Sequence, residues 1–211
     1  MYFHMRPTQN GSRLAAFALA ACASMMLAAP AFAYSCSDIE DLQKKTRTGD
    51  AQAIAYLAYC YREGKGVAKD ERRAADLYRR AAEQGSAAAQ NGLGWMYEHG
   101  KGGLPKDERR AVELYRQAAE QGNAQAQNNL AFLYERGMAG LPKDERRAVE
   151  LYRQAAEGGS GNGQRNLGTM YYSGRGGLPQ DKRRAMELWR QAAEQGDERA
   201  KEFLRKYGGG S

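Results

Sequence analysis

Residues 85–121 read GSAAAQNGLGWMYEHGKGGLPKDERRAVELYRQAAEQ, and residues 122–158 read GNAQAQNNLAFLYERGMAGLPKDERRAVELYRQAAEG. The second stretch follows the first directly and repeats it. Set in register on a glycine, such units begin at Gly49, Gly85, Gly122, Gly159 and Gly196, spaced by 36, 37, 37 and 37 residues. Self-similarity at a fixed period of this size marks stacked supersecondary units. The units divide the chain into 49–84, 85–121, 122–158 and 159–195, with a partial fifth over 196–207. Residues 34–48 read as the second half of a unit placed before the first.

Each unit reads as two helices. In the third, Asn123 is a good N-cap, because its side-chain oxygen can accept from a free backbone N–H of the first turn. Ala126, Leu130, Ala131, Leu133 and Tyr134 recur at helical spacing. Gly137 and Gly140 stop this helix. Pro142 and Asp144 open the second, whose apolar face is Ala148, Leu151, Tyr152, Ala155 and Ala156. The same offsets give second-helix caps at Asp70, Asp107, Asp144 and Asp181. Paired alanines fall at 81/82, 118/119, 155/156 and 192/193, where small side chains let helices approach. No helix pair can bury its face alone, so stacked pairs must share one core.

The 36–37 residue unit, the A-x-x-x-L-G/A-x-x-Y pattern, the G-x-G-G-L-P-x-D loop and the closing A-A-E-Q-G resemble the Sel-one-like repeat, a relative of the tetratricopeptide repeat. The resemblance covers residues 49–207. It implies an all-α fold, a right-handed α–α superhelix or solenoid with first helices inside and second helices outside. It also implies a scaffold or adaptor role without naming a partner. Cysteine-rich Helicobacter members described as penicillin-binding or β-lactamase-like carry a cysteine pair in each repeat. This chain does not, so that activity does not carry over.

The first 33 residues read as an address. Arg6 and Arg13 precede an apolar stretch from Leu14 to Ala29, and Ala31-Phe32-Ala33 is an A-x-A site. That is the pattern of a secretory signal cleaved after Ala33. The competing readings are a membrane anchor, for which the run is short, and a lipoprotein box at Leu19-Ala20-Ala21-Cys22. Cleavage implies a periplasmic protein with no stable membrane insertion. The whole chain has 211 residues and a net charge of +7, and without its first 33 it has 178 and +5. Acidic and basic residues are interleaved, so the charge does not call for nucleic acid. The end, residues 208–211, reads as a flexible tail.

Cys36 and Cys60 remain after cleavage, an even count outside the cytoplasm. If helices over 38–48 and 50–63 run antiparallel about Gly49, both cysteines sit at one end of the hairpin, and a disulfide would staple the cap to the first repeat. The alternative is that Cys60 is a core residue like its counterparts Met96, Leu133 and Met170.

No catalytic, metal or cofactor site is legible. The lone histidine past residue 33, His99, has no candidate partners for triad chemistry and makes no closed zinc site with two cysteines. The Gly-rich loops lack the Lys-Ser/Thr of a P-loop. Binding is the expectation, in a groove lined by first helices as in tetratricopeptide arrays. Counted from the N-cap as zero, fifth positions are Ala55, Asn91, Asn128 and Arg165, and ninth positions are Tyr59, Trp95, Phe132 and Thr169. Amides can pair with a peptide backbone of any sequence, Arg165 can hold a carboxylate, and aromatic residues dominate binding hot spots. The aromatics have a second reading, as braces between repeats.

Two other functions compete with a protein or peptide partner. One is a hydrolase of cell-wall or β-lactam compounds, for which no residues present themselves. The other is a polyanion or glycan module using Arg72-Arg73, Arg109-Arg110, Arg146-Arg147 and Arg183-Arg184, against the plainer reading of a solvated face with local ion pairs. Gly161 and Gly163 in the first helix of the fourth unit suggest a softer element there.

Overall fold

A computed structural model describes residues 34–208. The expected signal segment, its cleavage point, the Cys22 motif and residues 209–211 lie outside the described residues. Ten helices make up the described part: α1 (Ile39–Arg47), α2 (Ala51–Glu63), α3 (Glu71–Glu83), α4 (Ala87–His99), α5 (Glu108–Glu120), α6 (Ala124–Arg136), α7 (Glu145–Glu157), α8 (Gly161–Ser173), α9 (Lys182–Glu194) and α10 (Glu198–Tyr207). Among the described residues there is no strand, and no helix is long and apolar enough to cross a membrane.

Local chemistry sets the boundaries. Asp70, Asp107, Asp144 and Asp181 each accept a backbone N–H from the third residue beyond, capping α3, α5, α7 and α9. Asp50, Ser86, Asn123 and Ser160 do the same for α2, α4, α6 and α8. Each cap stabilises its helix by about 1 kcal/mol. The first helix of every unit ends at a left-handed glycine, Gly64, Gly100, Gly137 or Gly174. The helical faces read from sequence are buried: Ala126, Leu130, Ala131 and Leu133 in α6, and Ala148, Leu151, Tyr152 and Ala155 in α7. The first alanine of each pair is buried and the second only half so. One core cluster runs from Cys36 to Leu188, and a smaller one, around Trp189, closes the C-terminal end. The result is a helical solenoid in which α2 approaches α4 and α6 approaches α8 along one face.

The unit-four glycines fit close packing. α8 has the same 13 residues as its counterparts. A Cβ on Gly163 would lie 2.7 Å from Cβ of Ala155, so glycine lets α8 close onto α7. A neighbouring departure leaves a polar atom stranded. Gln121 Nε2 donates to Gln90 Oε1 at 2.7 Å, and Gln195 Nε2 to Gln164 Oε1 at 2.9 Å, tying the two helices of units two and four. In unit three the matching position is Gly158, and the buried Gln127 Oε1 has no partner.

The N-terminal end is stapled. Cys36 and Cys60 form a disulfide with Cα atoms 5.8 Å apart. Cys60 is nonetheless fully buried, so both sequence readings hold for it. Tyr34 Oη donates to Asp50 Oδ2 at 2.7 Å, a bond that pushes its pKa up to about 12. The segment before α1 also takes the place of the first turn that α1, shorter than the second helices of the units, lacks. A Cβ on Gly66 would meet the Cys36 carbonyl oxygen, as one on Gly102 would meet that of Glu71.

The loop position of Gly102 and Gly176 is taken in unit three by Ala139, at φ 57°. Side chains resist this conformation. Ala139→Gly is expected to stabilise by up to about 1 kcal/mol, net of the freedom it adds to the unfolded chain. Gly102→Ala is expected to destabilise by about 2 kcal/mol, since its Cβ also lands 2.4 Å from the Glu71 oxygen. Urea melts of the two variants check the opposite signs. For the cap, 24 residues separate the cysteines, and closing such a loop stabilises by about 3 kcal/mol. Dithiothreitol should lower the melting temperature of the wild type and leave a Cys36→Ser/Cys60→Ala variant unmoved.

Candidate protein-binding groove

The face built from first helices carries the two expected rows. Ala55 is buried in the core and offers no contact surface, a departure from its assignment as a groove residue. Asn91 is half-buried and Asn128 buried. Tyr59, Trp95, Arg165 and Thr169 are half-buried, and Phe132 is 38% exposed.

The fifth-position groups are bonded to one another rather than free. Arg165 Nη1 pairs with Asp197 and also donates to Asn162 Oδ1 at 2.8 Å, while its Nη2 donates to Asn166 Oδ1 at 3.3 Å. Asn166 Nδ2 donates to Asn128 Oδ1 at 2.9 Å, Asn128 Nδ2 to Asn129 Oδ1 at 3.4 Å, and Asn129 Nδ2 to Asn91 Oδ1 at 3.1 Å. A single polar chain thus crosses α10, α8, α6 and α4. Arg165 holds a carboxylate, as its chemistry suggests, but that of Asp197 in the C-terminal cap. The sixth-position residues Asn129 and Asn166 were not singled out from sequence. Their signal is the pairing of polar residues at 128–129 and 165–166, where adjacent side chains splay to neighbouring helices.

The aromatic row divides. Arg62 lies over Tyr59 at 5.4 Å and over Trp95 at 5.0 Å, joining units one and two. His99 stacks on Trp95 at 4.5 Å, and Lys65 Nζ donates to Tyr59 Oη at 2.6 Å. These rings act as braces. Phe132 stays open, with Arg136 at 5.4 Å from its ring, and lines a pocket of about 360 Å³. Asn128, Asn129, Asn166, Thr169 and Phe203 share that pocket.

Two carboxylates face the same space on fixed supports. Tyr115 Oη donates to Glu98 at 2.6 Å and Tyr152 Oη to Glu135 at 2.8 Å. Burial, with the carboxylate beside it, drives both phenols far above their ordinary pKa, so they remain donors at any physiological pH. Arg175 bridges Glu135 at 3.0 Å and Glu145 at 2.7 Å. Its hydrogen bond, with that of Lys143, lowers Glu145 from 4.5 to about 2. Among the described residues no group of side chains could hold a metal. The arrangement offers hydrogen bonds, a ring face and fixed charges, which is binding chemistry.

The arginine pairs on the second helices are partly engaged locally. Arg73 lies over Tyr61 at 4.5 Å and Arg110 over Tyr97 at 4.8 Å, while Arg147 and Arg184 pair with Glu150 and Glu187.

A carboxylate with a depressed folded pKa adds stability that is present above its unfolded value and lost as pH falls through its folded value. Arg175→Gln should therefore cost most stability above pH 4.5, and the gap from wild type should shrink toward pH 2. Melting temperatures across that range measure it, and a constant gap would remove Glu145 as the cause.

Comparison with known proteins accords with this geometry. The family described as Sel1 repeat matches four times, over residues 51–86, 87–123, 124–160 and 161–197. The chain is similar to a Sel1 repeat protein from Oxalobacter formigenes, with 32% identity, a TM-score of 0.65, and 80% of this chain and 74% of that one covered. It is similar to c5321, a protective antigen of uropathogenic Escherichia coli with an SLR fold, at 34% identity and a TM-score of 0.62, covering 83% of this chain and 38% of that one. The immunity protein Pa5087 from Pseudomonas aeruginosa shares the fold at 24% identity, with a TM-score of 0.58 over 79% of this chain and 60% of that one. No curated protein matched the sequence. With four matched units filling the stacked helix pairs described above, the chain belongs to the Sel1 repeat family.

Proposed function

We propose that this protein is an exported scaffold that holds a protein or peptide partner along the face formed by α4, α6, α8 and α10. Sel1 repeat proteins generally mediate protein–protein interaction, and the reading specific to this chain rests on one observation. Phe132 and Thr169, assigned to the groove from their offsets in the repeat, line one pocket with the polar chain of Asn128 and Asn166. An exposed ring beside ordered amides is the composition of a binding centre, where a few well-placed groups carry most of the energy. The Cys36–Cys60 disulfide and the leader-like start support work outside the cytoplasm, where such bonds persist.

Thr169→Trp fills the pocket with bulk and leaves the amide chain in place, and Phe132→Ala removes the ring. Crosslinked partners captured from an envelope extract by the wild type should fall about tenfold or more with either variant, once circular dichroism shows that each still folds. Undiminished capture of the same partner by both variants would place the interaction elsewhere on the solenoid.

A further inference from the structure

We infer that Glu98 and Glu108 form a socket for a guanidinium, which this chain fills for itself one unit later and leaves here to an arginine of the bound partner. This deepens the groove reading above, on which the partner rests.

Units three and four differ at one loop position. In unit four, Arg175 Nη1 donates to Glu135 Oε1 at 3.0 Å and Nη2 to Glu145 Oε1 at 2.7 Å. One guanidinium thus bridges the end of α6 and the start of α7. The same positions recur 37 residues earlier, at Met138, Glu98 and Glu108. The loop backbone recurs as well. The Met138 N–H donates to the Leu133 oxygen at 3.0 Å, and the Met138 oxygen accepts from the Leu141 N–H at 3.0 Å. Arg175 makes the same two bonds, with Met170 at 3.1 Å and Leu178 at 3.2 Å. By this register Met138 stands to Glu98 and Glu108 as Arg175 stands to Glu135 and Glu145, with a thioether where the guanidinium would be.

The two carboxylates are already set. Tyr115 holds Glu98 by Oε2, as Tyr152 holds Glu135, which leaves Oε1, the oxygen that takes Arg175 in Glu135. His99 Nδ1 lies 3.9 Å from the same Oε2 of Glu98 and donates to the Trp95 carbonyl at 2.9 Å, so it does not claim Oε1. Lys106 Nζ lies 2.6 Å from Glu108 Oε1, as Lys143 Nζ lies 3.1 Å from Glu145 Oε1, and the latter oxygen accepts Arg175 in addition. The side chains of Glu98 and Glu108 are 25% and 41% exposed, against 13% and 25% for Glu135 and Glu145 under their arginine. Of the pocket's own arginines, Arg165 is taken by Asp197 and Arg136 lies over Phe132. Among the described residues no arginine or lysine pairs with Glu98.

The surroundings suit an arginine carried by a partner. Phe132 and Met138 are the exposed large apolar side chains of the described residues, and both belong to unit three. Phe132 lines one pocket with Glu98. A segment seated on Phe132 can extend an arginine to Glu98 and Glu108, its methylene stem along apolar surface and its fork across two carboxylates. A lysine brings a point charge without the fork, so it cannot match both with one planar group.

The test uses short end-capped peptides that carry arginine, lysine or citrulline between two leucines, titrated into the protein and read by the Met138 methyl signal in NMR. The arginine peptide should bind about tenfold tighter than the neutral citrulline peptide, with lysine between them. Met138→Arg should fill the socket from within. It should erase the preference and raise the melting temperature by about 3 °C, and the rise should vanish in Met138→Arg/Glu98→Gln. The inference is overturned if citrulline binds as tightly as arginine, if no peptide moves the Met138 signal, or if Met138→Arg keeps the preference or fails to stabilise. Capture of the envelope partner separates this inference from the groove reading. Loss of capture with Phe132→Ala and Thr169→Trp but not with Met138→Arg leaves the groove standing and removes the socket as its determinant. An arginine preference that Met138→Arg erases, with capture surviving both groove variants, keeps the socket and removes the groove.

Discussion

The separation between the two helices of a unit governs everything else in this protein. In each unit a large ring on the second helix, Tyr78, Tyr115, Tyr152 or Trp189, is almost fully buried. It packs where the first helix has almost no side chain. A Cβ on Gly94 would lie 3.0 Å from the Tyr115 ring, and one on Gly168 would lie 2.7 Å from the Trp189 ring. Alanine occupies the matching places, 58 and 131, in the other units. Because the rings seat so deeply, the tips of Tyr115 and Tyr152 emerge on the far side of the first helix and meet Glu98 and Glu135. Trp189 in the same way reaches the backbone oxygen of Arg165 at 3.1 Å. The core residues that set the helix spacing thus also position the groove.

This coupling makes the groove stiff. Buried polar groups that are fully bonded rigidify their surroundings, and each bond is stronger for being out of water. The chain from Asp197 through Arg165 to Asn91 links four helices that belong to four different parts of the array. In a repeat protein each unit touches only its neighbours, so a hydrogen-bonded chain along the inner face ties the units to one another beyond apolar stacking. The brace of Tyr59 and Trp95 with Arg62 between them joins α2 to α4, beyond the end of the amide chain at Asn91.

The irregular positions fall between the regular ones and follow the same physics. Ala139 sits in a left-handed turn that glycine fills in the three sister units, and Gln127 keeps an unpaired oxygen because Gly158 has replaced its partner. Gly163, which weakens helix propensity, is where Ala155 packs closest. The softness expected from propensity alone does not show in the length of α8, because tertiary contact outweighs a local preference of about 1 kcal/mol.

Period, helix pairing, caps and the disulfide could all be read from the chain, since each depends on residues close in sequence or on a spacing repeated four times. The offsets from the N-cap also place Asn91, Asn128, Phe132, Arg165 and Thr169 on one face, because helical geometry alone sets it. What the sequence could not determine is which of these groups remains free. Ala55 turned inward, Arg165 was claimed by Asp197, and the asparagines were claimed by each other across 38 residues. Such bonds depend on how closely successive first helices stack, and that distance is set by rings and glycines on other helices. Only the tertiary structure decides it.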